Sequence, residues 1–173
     1  ITSDIDETLV DDYKNVPVVN RKAIDKAEEN GIKVILATGR GPYELRQIPD
    51  QAGVIRDNRY IICCNGAITL KAKEKEIVDS LPLDFKYVKN VFEYAYENKL
   101  EFFIYTIDCK YAINIDPIEK ANEYTSQTNV KEITDHNIDF LKDELILKVL
   151  IKNKDIDFLH SLEVDVAEIT NYD

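Results

Sequence analysis

Short apolar runs alternate with polar clusters along the first half of the chain. Ile32-Lys33-Val34-Ile35-Leu36-Ala37 is rich in β-branched residues and predicts a buried strand. Tyr60-Ile61-Ile62-Cys63-Cys64 predicts another, and the apolar entry into Asp4 predicts the end of an earlier one. Between the strand that ends at Asp4 and the one that begins at Ile32, Val19, Ala23, Ile24 and Ala27 fall on one face of a helix from about Val18 to Asn30, which Gly31 stops. Tyr43 to Ile48 predicts a second helix, broken by Pro49 and Gly53. Strand, helix, strand, helix, strand is the pattern of a parallel sheet covered on both faces, an α/β fold. Ligands of such sheets bind beyond the carboxyl ends of the strands. Three polar clusters fall there: Asp4/Asp6/Thr8, Thr38/Gly39/Arg40 and Asn65/Gly66.

The pattern changes near residue 80. Ile68 to Leu83 reads as a charged connection, and Lys71 to Glu76 within it as a solvated surface. Asp84 to Lys99 then predicts an amphipathic helix with Phe85, Val88, Val91, Phe92, Ala95 and Tyr96 on one stripe. Two strands are expected over 101–107 and 110–115, around Asp108-Cys109. A helix is expected from Pro117 to about Gln127. Leu145 to Ile151 reads as a strand, Asp155 to Leu162 as a short helix and Val164 to Ile169 as a further strand. The expected organisation is therefore one domain over 1–80 and a second, differently built one over 81–173.

Composition narrows the chemistry. The chain has 173 residues, 45% apolar and 32% charged, enough for one good core or one domain with a smaller insert. A net charge of −11 repels phosphate backbones, so a nucleic-acid partner is not expected. No apolar run reaches the length of a membrane span, and no secretory signal precedes the first strand. A phosphorylated ligand would be repelled too unless a metal and local Arg or Lys offset the field. Cys63 and Cys64 are adjacent on a strand and face opposite ways, so they read as buried small hydrophobes rather than a disulfide, which points to the cytoplasm. His136 and His160 lack partners at ligand spacing. The chain has no methionine and begins three residues before Asp4, so the expectation is that residues are missing from its ends.

Asp4 and Asp6 carry the chemistry. Two apart on a strand, they would point to one side and repel unless a cation sits between them or one binds a proton. A hard cation such as Mg²⁺ suits them, since it takes a few oxygens and keeps several waters. A turn with a capping residue is the alternative reading of Asp-x-Asp-x-Thr.

Asp4-Ile5-Asp6-Glu7-Thr8-Leu9, Leu36-Ala37-Thr38-Gly39-Arg40 and Cys64-Asn65-Gly66-Ala67 together resemble the haloacid dehalogenase superfamily of phosphatases, in particular its Cof-type branch. That resemblance implies a Rossmann-like core over 1–80 with an inserted α+β cap over 81–173. It implies Mg²⁺-dependent hydrolysis of small phosphorylated metabolites, with sugar phosphates or phosphorylated cofactors foremost. Asp4 would be the nucleophile, and Asp6 the general acid and then the base. Asp4 and the backbone carbonyl of Asp6 would hold Mg²⁺. Thr38, Gly39, Arg40 and Asn65 would line the phosphate side. A neutral Asp6 is expected beside an ionised Asp4.

Three features depart from the branch. Glu7 stands where it usually has glycine. Its later phosphate-binding lysine has no clear counterpart, and Lys148 reads as a cap-strand residue. Its final Gly-Asp-x-x-x-Asp segment has no match before Asp173. The alternative function is a non-catalytic phospho-ligand-binding or regulatory module on the same scaffold.

Overall fold

A computed structural model describes residues 1–118, 120, 121 and 129–170 and divides the chain into two compact units, Ile1–Leu81 and Pro82–Asp173.

In the first unit, β1 (Thr2–Ser3), β2 (Ile35–Ala37) and β3 (Tyr60–Cys63) lie parallel in that order. Ser3 is level with Leu36, and Leu36 with Ile61, so the three strands end in one row. Helix α1 (Val18–Glu29) links β1 to β2 and buries Ile24. It ends in a Schellman motif: Gly31 N donates to Glu28 O, and Ile32 N to Ala27 O. Gly31 sits at φ +76°, which only glycine adopts without cost.

The link from β2 to β3 is less helical than expected. A single 3₁₀ turn covers Pro42–Glu44, and α2 is the four residues Ile48–Gln51. Pro49 lies in the first turn of α2 rather than ending a helix, because the first-turn N–H groups need no intrahelical partner. Residues 68–83 are not a connection either. Strands β4 (Ile68–Lys71) and β5 (Ile77–Ser80) form a hairpin that extends the sheet antiparallel beyond β3. The charges at 72–76 belong to its turn, while Ile68 and Leu70 point into the core.

The second unit is a four-stranded sheet in the order β8-β7-β6-β9: Val130–Glu132, Lys110–Ile113, Glu101–Tyr105 and Lys148–Lys152. Helix α3 (Phe85–Glu97) is capped by Asp84, whose carboxylate accepts from Lys86 N at 2.8 Å. Its Val88, Val91, Phe92 and Ala95 pack with Phe102, Ile104 and Ile113. Helix α4 runs unbroken from Ile156 to Thr170, so the strand expected over 164–169 does not exist. Val164-Asp165-Val166 mimics strand alternation, but Phe158, Leu159, Leu162, Val166 and Ile169 recur every three or four residues and face the core. Most of the helix expected over 117–127 lies outside the described residues.

Candidate active site

The first acidic pair is not placed by strand alternation. β1 stops at Ser3, and the chain then turns so that Ile5 O accepts from Leu9 N and Val10 N at 2.9 and 3.1 Å. Burial drives the turn: Ile5, Leu9 and Val10 go inward, leaving Asp4, Glu7 and Thr8 exposed and Asp6 half-buried. Glu7 takes φ +56°, a left-handed conformation that suits glycine and costs another residue roughly 1 kcal/mol.

Asp6 is gripped by two cations. Arg40 forks onto its carboxylate, Nε to Oδ2 at 2.8 Å and a terminal nitrogen to Oδ1 at 2.7 Å. Lys14 Nζ reaches the same Oδ1 at 2.8 Å. The Arg40 bond is the main cause, with Lys14 adding to it, and together they outweigh burial and hold the Asp6 carboxyl far below the usual carboxylate range. The expectation of a proton on Asp6 does not hold in this arrangement, because the groups bonded to its carboxylate are the cations Arg40 and Lys14. Arg40 is in turn pushed upward, chiefly by its bond to Asp6, with smaller contributions from the charges of Glu44 and Asp4. The remaining guanidinium nitrogen donates to Glu44 O at 3.1 Å, and the Glu44 carboxylate accepts from Gly41 N at 2.7 Å.

The carboxyl ends of β2 and β3 are laced together. Thr38 N donates to Ile62 O, Asn65 N to Thr38 O, and Cys64 N to Arg40 O. Thr38 is buried, and its Oγ1 accepts from Arg40 N at 3.2 Å, leaving the hydroxyl proton to be donated elsewhere. Cys64, Asn65 and Gly66 take φ of +51°, +58° and +99° in succession. This tight left-handed turn exposes Asn65 and brings its amide against Gly39: a Cβ at Gly39 would lie 2.6 Å from Asn65 Oδ1.

Asp6 and Arg40 are therefore in direct contact, and Thr38, Gly39, Arg40 and Asn65 share one bonded loop cluster. The Asp4 side chain makes no hydrogen bond or ion pair among the described residues, and its charge reaches Arg40. Its open carboxylate fits a Mg²⁺ donor, since that ion takes one or two carboxylates and fills its shell with waters and phosphate oxygens. Among the described residues no group of three His, Cys, Asp or Glu side chains is gathered as a metal cage. Two members escape sequence reasoning. Lys14 is a single lysine in a polar turn, and Glu44 bonds Arg40 through its main-chain carbonyl, with its charge adding a smaller effect. Lys148 lies on β9 of the second unit, with its Nζ 4.3 Å from the Tyr105 ring centre.

The sequence pattern of the haloacid dehalogenase-like hydrolases matches residues 1–171. The chain belongs to that family. Among its curated relatives in the family is a Bacillus subtilis (strain 168) protein named "Putative phosphatase YxeH", 28% identical over 155 residues, which cover 89% of this chain and 57% of that protein. The chain thus spans little more than half the length of this relative. A haloacid dehalogenase-like hydrolase from Bacteroides thetaiotaomicron shares the fold, with a TM-score of 0.77 and 24% identity over 96% of this chain and 62% of that one. The sugar phosphatase BT4131, of subclass IIB in the same superfamily, shares it with a TM-score of 0.76 and 16% identity, over 98% and 62%. No helix among the described residues is long and apolar enough to cross a membrane.

Proposed function

We propose that the protein is a Mg²⁺-dependent phosphatase of small phosphorylated metabolites that works through an aspartyl-phosphate on Asp4, with the first unit as core and the second as cap. The supporting observation is the pairing at the end of β1. One carboxylate, Asp4, is exposed and uncommitted; the other, Asp6, is fixed by an arginine fork.

In the first half-reaction an Asp4 oxygen bonds to phosphorus as the bond to the leaving oxygen breaks. Thr38 donates its free hydroxyl proton toward a phosphoryl oxygen, and Asn65 borders the same space. Asp6, which Arg40 keeps in place, picks up a proton from solvent as the phosphoryl group arrives and passes it to the departing oxygen. In the second half-reaction water attacks phosphorus, Asp6 takes the water proton, and Asp4 is released. Mg²⁺, held by Asp4 and the main-chain carbonyl of Asp6, would neutralise charge between nucleophile and substrate when bound. Phosphorylated sugars are the first substrates to try, by analogy with the sugar phosphatase BT4131. Three buried cysteines outside any disulfide suit a cytoplasmic setting, with burial pushing the Cys63 thiol up to about 12.

The test is turnover of an aryl phosphate and a panel of sugar phosphates, with and without Mg²⁺. Wild type should turn over at least one of them only with the metal, and Asp4→Asn should lose turnover while keeping its melting temperature. Full activity in Asp4→Asn would remove Asp4 as nucleophile. Phosphate binding without turnover in wild type would favour the phospho-ligand-binding module instead.

A further inference from the structure

The loop after the first acidic motif is built with more care than a connection requires. The Asp11 carboxylate accepts from Tyr13 N and Asn15 N at 3.0 and 2.9 Å, while Asp11 N donates to Asn15 O and Lys14 N to Asp11 O. Gln51, in α2, accepts from Val16 N at 3.0 Å and so ties the loop to the body of the unit. At its tip Lys14 takes φ +62°, a left-handed conformation that is disfavoured for lysine and persists only where the surroundings impose it. The result is an ammonium group 2.8 Å from Asp6.

Asp6 does not need that ammonium. The Arg40 fork already engages both of its oxygens from a side chain only 19% exposed. The Lys14 pair is different in kind: its side chains are 57% and 39% exposed, it is a single contact, and it shares an oxygen with Arg40. Open pairs of this sort are weak, because solvent screens them and both side chains lose freedom in forming them, so the contact is easily given up. A phosphoryl dianion offers such a lysine more charge and more acceptor oxygens than a carboxylate already shared with an arginine.

We propose that Lys14 is a substrate-binding residue, which rests on Asp6 in the free protein and passes to the phosphoryl group of the incoming substrate. This rests on the phosphatase reading and deepens it: Arg40 is the fixed partner of Asp6, Lys14 the exchangeable one. Lys14 thereby supplies a local cation at a site on a chain of net charge −11.

The experiment has two arms, in Mg²⁺ buffer. In the first, inorganic phosphate is titrated into wild type, Lys14→Ala, Lys14→Arg and Asp4→Asn by calorimetry. Lys14→Ala should bind phosphate about 5- to 20-fold more weakly, the loss expected for one hydrogen bond to a charged group less the exposed Asp6 contact given up in exchange, with its melting temperature unchanged. Lys14→Arg should recover most of the affinity, and Asp4→Asn should still bind. In the second arm, Lys14→Ala should raise KM for the best phosphomonoester by a similar factor, with kcat within about threefold, because the contact is made in both ground and transition states. Phosphate affinity in Lys14→Ala within twofold of wild type would overturn the proposal, and so would a wild type that binds no phosphate. Phosphate binding weakened by Lys14→Ala in a wild type that turns over no phosphomonoester would sustain the binding role and defeat only the phosphatase reading.

Discussion

The first unit uses an arginine–carboxylate pair at each end of its parallel strands, and the two pairs are built to opposite ends. At the amino ends, Arg59 leads into β3 and grips Glu28 at the end of α1. Glu28 Oε1 also accepts from Arg59 Nε at 2.8 Å and from Val34 N at 3.0 Å. Those side chains are 14% and 4% exposed, and every strong acceptor is used. At the carboxyl ends, Arg40 grips Asp6, but one partner is 39% exposed, a second cation shares an oxygen, and an uncommitted carboxylate, Asp4, stands two residues away. The same chemistry makes a closed joint in one place and an open, exchangeable site in the other. Burial and the number of acceptors left over separate them, not residue type.

Breaking each arginine should expose that difference. Arg59→Ala leaves the covered Glu28 carboxylate charged without its fork, with only the Val34 amide and the charge of Arg56 to offset it, so it should cost about 2–3 kcal/mol in a denaturant melt and leave the turnover of whatever folds unchanged. Arg40→Ala strips a half-open pair. It should cost at most about 1 kcal/mol of stability but lower kcat/KM about 100-fold, because Asp6 loses the group that orients it. If the two variants showed the same balance of stability and activity loss, the contrast would be wrong.

Acid offers a gentler cut. Glu28 is pulled from 4.5 down to about 2, first by the Arg59 bond and then by the Val34 amide, against burial. A carboxylate whose folded value is depressed contributes stability that is complete above about pH 4.5 and fades as pH falls toward 2. The melting temperature of wild type should fall over that window, and that of Glu28→Gln should fall less steeply across it, the remaining slope coming from carboxylates such as Asp6 that are also held low. The smallest effect concerns strain at the open end. Glu7→Gly relieves a left-handed φ of +56° and should raise stability by about 0.5–1 kcal/mol, with no charge lost that pairs with anything in the site.

The sequence made the open end legible because its residues sit on strand termini. Thr38 and Asn65 each follow an apolar run and Asp4 follows the short β1, and parallel strands in register bring such termini to one row. It did not reveal how Asp6 is held. A turn nucleated by the burial of Ile5, Leu9 and Val10 carries Asp6 to Arg40, and no local spacing encodes a contact 34 residues apart. Lys14 was hidden for the same reason, although Asp11 followed by Asn15 is a readable turn signal. In the second unit, α3 was plain from its stripe, whereas α4 was split because Val164 and Val166 alternate around Asp165 within a helical repeat. The hairpin of β4 and β5 was masked by charges that turned out to occupy its turn.

The central claim is that Asp4 becomes phosphorylated during turnover, and peptide mass analysis after acid quench tests it directly. Asp6→Asn, which cannot take the water proton, should be mixed with an aryl phosphate that the wild type hydrolyses, since its phenolate leaves without a proton from Asp6. The account predicts a phosphoryl adduct on the peptide that contains Asp4, accumulating in Asp6→Asn and absent from Asp4→Asn. Steady hydrolysis by wild type with no adduct in either protein, or an adduct on a peptide lacking Asp4, would contradict it.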